Sequence, residues 1–207
     1  MELLIGIAIV LGHNVWRVIP NEVFILTALG LVSMRLRNGS VAALGFHRPA
    51  SWWNLVLLAV AAAVLRLVLG ELVIDPVTER FWPPATLPEG ADEITGNIQT
   101  ALLYLAIVWS FAAFGEEISY RGYLLNRGAE ALGGSAAGYW IAAAISAVAF
   151  GYGHFYKGPP GIIDSGIAGM ILASAYLLAG RNLWVCVLAH GFIDTFGIIQ
   201  LFFGWDS

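Results

Sequence analysis

The sequence predicts an all-α, polytopic membrane protein: a bundle of about six to seven transmembrane helices with a polar site inside it. Hydrophobic residues make up 59% of the 207 residues and charged residues only 12%, whereas charged residues in soluble domains are near 25%. The mean hydropathy is +0.78. Several apolar runs are long enough to cross a hydrocarbon core of about 30 Å. We therefore expect one integral membrane domain over residues 1–207.

The charge balance excludes one large class of partners. Ten basic residues stand against 14 acidic ones, so no basic surface for nucleic acid is predicted. The lone Cys186 excludes an internal disulfide and a cysteine metal cluster. We interpret it as a buried, inert thiol. The lipid bilayer is the first partner that the composition predicts.

The first part of the chain predicts one span and a basic connector. The apolar run from Glu2 to Leu11 has no basic start and no small-residue cleavage site after it, so we do not read it as a signal peptide. A membrane-spanning helix is predicted from about Pro20 to Met34. The connector that follows contains Arg35, Arg37, His47 and Arg48. The positive-inside rule places this connector in the cytoplasm.

The next span is predicted from Trp52 to Ile74, with a tryptophan pair suited to the membrane interface. Arg66 interrupts it, and we predict that this residue either snorkels or pairs with a carboxylate from a neighbouring helix. An acidic loop outside the membrane is predicted from Asp75 to Gly96. Its prolines and acidic residues are Pro76, Pro83, Pro84, Pro88, Asp75, Glu79, Glu89, Asp92 and Glu93.

The second half of the chain, about residues 97–203, carries the motifs. We predict spans over Asn97–Phe114, Ala136–Phe155, Ile162–Ala179 and Leu183–Phe203. Helix signals after the first of them continue toward Leu132, where two glycines stop them. A turn is predicted at residues 157–160. Small residues in the third of these spans favour close helix packing: Gly166, Gly169, Ala173 and Ala175.

The most informative polar residues are Glu116, Glu117 and Arg121, next to the apolar run that ends at Phe114. An ionisable residue in a span costs roughly 2.5 kcal/mol or more at a helix centre and by default indicates function. Glu117 and Arg121 are four residues apart, so they share a helix face and can form an ion pair. Glu116 is rotated about 100° away from Glu117. It is left without that partner and is available for chemistry.

Two further polar positions lie on other predicted spans. His154 follows Phe150 by four residues and is expected on the same helix face. His190 and Asp194 are also four apart, and so side by side. Each group alone would be an unpaired polar side chain in a dry interior, so the three positions are expected to converge.

Such a cluster fits two kinds of hydrolytic site. In the first, Zn²⁺ or another divalent metal is held by Glu116, His154, His190 and Asp194, with one position open for water. In the second, which is metal-free, a glutamate is the general base on water and a histidine shares the proton transfer. Both end in hydrolysis by activated water. A polar network that only ties the bundle together is the non-catalytic interpretation.

The three motifs resemble those of the CAAX protease and bacteriocin-processing family of intramembrane proteases, also labelled CPBP or Abi. They are Glu-Glu-x-x-x-Arg at 116–121, Phe-x-x-x-His at 150–154 and His-x-x-x-Asp at 190–194, in that order. The stretches Tyr120–Leu124 and Leu44–Phe46 are similar to the family as well. The resemblance covers the chain from about Leu44 to Phe203.

The resemblance implies a helical membrane peptidase and a role for each site residue. Glu116 would be the general base, helped by His154, while Glu117 and Arg121 would fix the geometry. His190 and residue 194 would stabilise the oxyanion or hold a metal. Many members carry Asn where this chain has Asp194. Because an ionised Asp cannot donate a hydrogen bond, its presence favours metal ligation, a protonated carboxyl or an orienting role for His190.

We therefore expect an intramembrane endopeptidase, of metalloprotease or glutamate type. Its substrate would be a membrane-associated peptide or protein, either prenylated or bacteriocin-like. The expected location is a bacterial or archaeal plasma membrane. The alternatives are a non-catalytic membrane scaffold or bacteriocin-immunity protein, which would keep the polar cluster for packing, and a small proton-coupled transporter.

Overall fold

The chain folds into seven helices in the computed structural model, which describes residues 1–85 and 90–205. These described residues contain no β-strand, so the all-α prediction is confirmed. The helices are α1 (Glu2–Asn14), α2 (Glu22–Asn38), α3 (Trp52–Thr78), α4 (Ile98–Ala131), α5 (Ala136–Gly153), α6 (Phe155–Leu178) and α7 (Trp184–Phe203).

Five of the described helices, α3 to α7, are long and apolar enough to cross a membrane. The chain is therefore a polytopic helical bundle, as predicted. Helices α1 and α2 are shorter, with 13 and 17 residues. At 1.5 Å per residue, a helix of 13 residues is about 20 Å long and does not cross a hydrocarbon core by itself. Both pack on the second half of α4, and α1 also packs on α5.

Helix α2 differs from the predicted span at both ends. It begins after Asn21, whose side chain accepts a hydrogen bond from the Val23 N–H at 3.0 Å, so Pro20 lies outside it. It continues to Asn38 and ends at Gly39, which has φ of 73°. The predicted end at Met34 is wrong because cationic side chains after it lie at the helix C-terminus, where a cation is favourable.

Helix α3 also runs beyond its predicted end at Ile74. Hydrogen bonds of the i→i+5 type at Gly70–Ile74 widen the turn just before Pro76, and the helix continues to Thr78. A widened turn accommodates a proline, which has no N–H to donate. Asp75 and Pro76 are therefore helical and do not begin the loop. Pro88 and Glu89 of the predicted loop lie outside the described residues.

Helix α4 is the longest element, with 34 residues, and passes unbroken through the glutamate pair. It ends before Gly133 and Gly134, which have φ of 84° and 67°, as the sequence predicted. Two stretches are π-helical, Val108–Glu116 and Ile118–Leu125. Turns of this kind are rare and frequently occur at functional sites. Here they flank Glu117.

The connection between α5 and α6 is shorter than predicted. Helix α5 ends at Gly153 rather than Phe155, so His154 is the first residue after it. Regular α-helix resumes at Gly158 rather than Ile162. The two prolines that suggested a turn lie in the first turn of this helix, where a missing N–H costs nothing. The predicted turn at residues 157–160 is therefore wrong after Lys157, and the chain turns instead at Phe155–Lys157, a 3-10 turn that begins α6.

Small residues bring α5 and α6 close together. A Cβ added at Gly151 would lie 2.6 Å from the Ile162 carbonyl oxygen, and one at Gly169 would lie 3.1 Å from the Ala147 Cα. Only glycine allows these backbones to approach so closely. The predicted role of Gly169 in close packing is confirmed.

Several basic residues lie at one end of the bundle. Arg37 and Arg127 both contact Glu2, Arg127 through Nε at 3.4 Å. At the same end the Asn182 side chain donates to the His47 carbonyl oxygen at 2.9 Å. This end matches the side that the charge pattern assigned to the cytoplasm. Two other predictions are confirmed: Arg66 pairs with Asp164 of α6, and Cys186 is buried, with its Sγ donating to the Leu172 carbonyl oxygen.

Candidate active site

The centre of the site is Glu117, which is fully buried on α4. Its Oε1 accepts two hydrogen bonds, from Arg121 Nη1 at 2.8 Å and from His190 Nδ1 at 2.7 Å. The ion pair predicted from the i,i+4 spacing is therefore present. The bond to His190 joins α4 to α7, across 73 residues of sequence.

Arg121 connects the same oxygen to two more helices. Its Nη2 donates to the Gly169 carbonyl oxygen on α6 at 3.2 Å. Its guanidinium lies over the Phe150 ring of α5, 4.4 Å from the ring centre. The side chain is only 1% exposed. The burial of Arg121 is compensated by an ion pair within α4, a hydrogen bond to α6 and a cation–π contact with α5.

The hydrogen bond to Glu117 defines which ring nitrogen of His190 carries the proton. Since Nδ1 faces the Glu117 carboxylate, that nitrogen carries a proton and donates it. In the neutral ring Nε2 is then an acceptor. Asp194 Oδ2 lies 3.6 Å from Nε2, which is longer than a hydrogen bond. The pair predicted from the spacing of four is thus adjacent without a direct hydrogen bond.

His154 is held in a similar way just beyond α5. Its Nδ1 lies 3.0 Å from the Phe150 carbonyl oxygen, so this nitrogen donates and Nε2 remains an acceptor in the neutral ring. The Phe150 ring lies between the two histidines, with its centre 4.8 Å from His154 and 5.9 Å from His190. Phe150 therefore spaces the two imidazoles as well as packing the core.

Glu116 is bonded differently from its neighbour. Its Oε2 is buried and has no hydrogen-bond partner among the described residues, and no ion pair joins Glu116 to Arg121 in that part of the chain. Its carboxylate is within electrostatic range of His190, Asp194 and Glu117. Glu117 Oε2 is also unpartnered, but its other oxygen is bound twice. Of the two adjacent glutamates, Glu116 is thus the one without an ion pair among the described residues.

The predicted metal ligands match a metal site in chemistry but not in spacing. Imidazole nitrogens and carboxylate oxygens are suitable donors for Zn²⁺, and both histidines can present Nε2. Within residues 1–85 and 90–205, however, no three His, Cys, Asp or Glu side chains are close enough together to hold an ion. Glu116, His154, His190 and Asp194 do not form a coordination shell as they are placed.

Some neighbours of the site were missed in the sequence. A Cβ at Gly191 would lie 2.4 Å from the Trp109 ring, so this glycine lets Trp109 pack beside His190. The indole N–H donates to Thr195 Oγ1 at 3.1 Å. A glycine directly after a motif histidine was the available signal. The resemblance included Tyr120 but gave it no role in the site, where its ring packs edge-on against Phe150 at 5.0 Å.

Fold and site together define a class: a polytopic helical membrane protein with a glutamate–histidine centre inside the bundle. Residues 98–196 match the family of type II CAAX prenyl endopeptidase Rce1-like proteins. This segment, from the start of α4 into α7, contains all seven residues that define the three motifs, and the family that it matches is a family of proteases. The resemblance drawn from the motifs is confirmed. Comparison with curated proteins and with solved structures gives no match.

Proposed function

We propose that the protein is an intramembrane endopeptidase that hydrolyses peptide bonds of membrane-associated substrates with side-chain-activated water. The single observation that carries the proposal is the contrast between two adjacent glutamates. Glu117 is fixed by Arg121 and His190, whereas Glu116 has no such partner. A purely structural network would use both carboxylates. In a hydrolytic site, one carboxylate can be held in place to orient a histidine while the other stays unbound and accepts a proton from water.

In the proposed reaction Glu116 takes a proton from water, and the oxygen of that water forms a bond to the scissile carbonyl carbon. Breaking the carbon–nitrogen bond then requires a proton on the leaving nitrogen. Glu116 returns the proton, with His154 Nε2 sharing in the transfer. His154 is suited to this role because the Phe150 carbonyl oxygen holds its Nδ1–H.

Stabilisation of the oxyanion is assigned to His190. Its Nδ1 is committed to Glu117, so only Nε2 can face a substrate. When the ring is protonated, Nε2–H can donate to a negatively charged oxygen, and the nearby Asp194 carboxylate favours that charged ring. Asp194 is thus proposed to orient and stabilise His190. Arg121 keeps Glu117 in the position that His190 needs.

The proposed mechanism uses no metal step, because the four predicted ligands are not arranged as a coordination shell. A peptide carrying a prenyl group is the substrate that the family description suggests. A bacteriocin-like precursor is the second candidate that the motifs suggested. In either case the substrate lies in or on the bilayer, because five helices hold the site within an apolar bundle.

The experiment is peptide cleavage by the purified protein in liposomes, with prenylated and unprenylated peptide pools. Glu116→Gln should lower kcat by at least about 100-fold and leave the unfolding temperature unchanged. The matched control is Glu93→Gln, at an exposed position outside the site, which should cleave like the wild type. A chelator should have no effect. Equal cleavage by Glu116→Gln and the wild type would overturn the assignment, and a folded wild type without activity on either pool would support a scaffold instead.

A further inference from the structure

Lys157 is the single lysine of the chain, and it lies three residues after the motif histidine His154. It ends the turn Phe155–Lys157 that leads from α5 into α6. Its side chain lies against Gly161, where an added Cβ would be 2.0 Å from the Lys157 Cβ. Any larger residue at position 161 would displace this side chain. The fold therefore places one cation at a defined position beside the candidate active site.

The charge of Lys157 has no directly bonded counter-ion. Among the described residues no carboxylate lies within 4.0 Å of its Nζ. The contact that the structure does show is with the Tyr156 ring, whose centre is 5.8 Å from Nζ. The nearest acidic groups in electrostatic terms, Asp164 and Asp194, have closer cationic partners. Arg66 contacts Asp164, and His190 lies 3.6 Å from Asp194.

The helix that begins after Lys157 also favours an anion at this position. Lys157 is the N-cap residue of the regular helix Gly158–Leu178, and no side chain caps this helix. A helix N-terminus carries partial positive charge, so a cation there is unfavourable and an anion is favourable. Lysine is the reverse of the usual N-cap preference for Ser, Thr, Asp or Asn. The lysine and the helix end thus favour the same kind of ligand.

We infer that Lys157 binds a carboxylate of the peptide substrate, and so sets a preference for anionic peptides. The inference rests on the proposed peptidase function and adds a specificity-determining residue to it. Two sources could supply this carboxylate, the free C-terminus of the peptide and an acidic side chain close to the scissile bond. The Lys157 N–H donates to the carbonyl oxygen of His154, the candidate proton carrier, at 3.0 Å, so a carboxylate bound to Lys157 lies within a few residues of the reacting bond.

The role is binding rather than chemistry. In the described part of the chain, no ion pair joins the Lys157 ammonium to Glu116, and its only bond to a site histidine is a backbone one, from the Lys157 N–H to the His154 carbonyl oxygen. Removal of the ammonium should therefore act mainly on KM. A hydrogen bond to a charged group corresponds to a change of about tenfold to a hundredfold in kcat/KM. A lysine that only stabilised the turn would change folded yield and would leave the order of substrate preference as it was.

The test compares wild type, Lys157→Gln and Lys157→Arg in liposomes on four matched peptides. One pair differs in having a C-terminal acid or amide, and the other has Asp or Asn near the scissile bond. The wild type should prefer the carboxylate member of at least one pair by tenfold or more. Lys157→Gln should lose that preference through KM, and Lys157→Arg should keep most of it. Arg80→Gln, at an exposed position outside the site, is the charge-matched control.

Binding to the Glu116→Gln variant, with and without Lys157→Gln, gives a readout that does not depend on turnover. Weaker binding of the carboxylate peptide after Lys157→Gln supports the inference. Wild-type cleavage with no preference in either pair overturns it and leaves the peptidase function intact. If no peptide is cleaved and peptides bind equally well with and without the carboxylate, both the role of Lys157 and the peptidase function are overturned. If Lys157→Gln folds poorly, Lys157→Arg decides, because arginine keeps the charge and must keep the preference.

Discussion

His190 Nδ1 lies 2.7 Å from Glu117 Oε1, and Arg121 Nη1 lies 2.8 Å from the same oxygen. One buried carboxylate oxygen therefore holds a cation from its own helix and an imidazole from α7. This relationship gives each of the two glutamates of the motif a different task. It also makes the fold and the site depend on the same atoms.

Glu117→Gln should destabilise the protein by about 3–5 kcal/mol, because it leaves the buried Arg121 without its counter-charge. Folded yield and activity should fall together. Thermal unfolding in detergent measures the first, and cleavage in liposomes the second. In contrast, Glu116→Gln should reduce activity alone, since Glu116 has no ion pair with Arg121.

A double variant checks the cause of that loss. Glu117→Gln combined with Arg121→Met removes both charges, so its destabilisation should be smaller than the sum of the two single variants. Strictly additive losses would mean that the two side chains do not stabilise each other. The unfolding temperatures of all four proteins are compared under one detergent condition.

Asp194→Asn should retain activity within about tenfold of the wild type, whereas Asp194→Leu should lose about 100-fold. In the proposed mechanism Asp194 both orients His190 and favours its charged ring. Asn loses the negative charge but keeps a polar group that can orient the imidazole, and its amide N–H can donate to the oxyanion, whereas leucine can do neither. Steady-state kcat of both variants measures this. If Asp194→Asn were as inactive as Asp194→Leu, the negative charge rather than the orientation of His190 would be required.

Gly151→Ala should destabilise the contact between α5 and α6 by about 1–3 kcal/mol. The added Cβ would meet the Ile162 carbonyl oxygen at 2.6 Å, and backbone cannot rotate away as a side chain can. Gly197→Ala is the matched control, because nothing lies within 4 Å of its added Cβ. That exchange should be neutral or stabilising by roughly 0.4–1 kcal/mol. Unfolding temperatures in one detergent compare the two, and equal behaviour would contradict the close approach.

The stability of the protein should depend on pH through Glu2, which lies outside the five membrane-crossing segments. Burial raises the pKa of Glu2, but hydrogen bonds from Ser33 and Arg37 outweigh it and lower the pKa below its ordinary 4.5. Because the pKa is lower in the folded state, this stabilisation is complete above 4.5 and is lost as the pH falls through the folded-state pKa. Glu2→Gln should therefore lower the unfolding temperature at pH 7.

The same variant should begin to approach the wild type below pH 4.5 and should equal it once the pH is below the folded-state pKa of Glu2, where both lack the negative charge. Unfolding temperatures between pH 7 and pH 3 follow this convergence. Glu93→Gln, an exposed exchange of the same kind, should show no such trend relative to the wild type. A gap between Glu2→Gln and the wild type that stays constant with pH would show that the carboxylate charge is not responsible.

Hydropathy and composition were enough to predict the membrane class, because both depend only on which residues are present in a window. The end of α4 was also predictable, since Gly133 and Gly134 adopt the positive φ that favours glycine. Errors came where prolines were read as breaks. Pro76 is inside α3 and Pro160 is in the first turn of the helix at Gly158, since a widened turn and a helix start both accommodate a missing N–H.

Part of the candidate site was likewise predictable from the sequence, and part was not. Spacings of four residues placed Glu117 beside Arg121 and His190 beside Asp194, because helical periodicity is a local property. That Glu117 rather than Glu116 binds His190 depends on how α4 packs against α7, and no spacing contains that information. The position of the Phe150 ring between the two histidines has the same origin. Local sequence thus specifies which helices form and which chemical groups they carry, while helix packing decides which of the two neighbouring carboxylates is bound by His190.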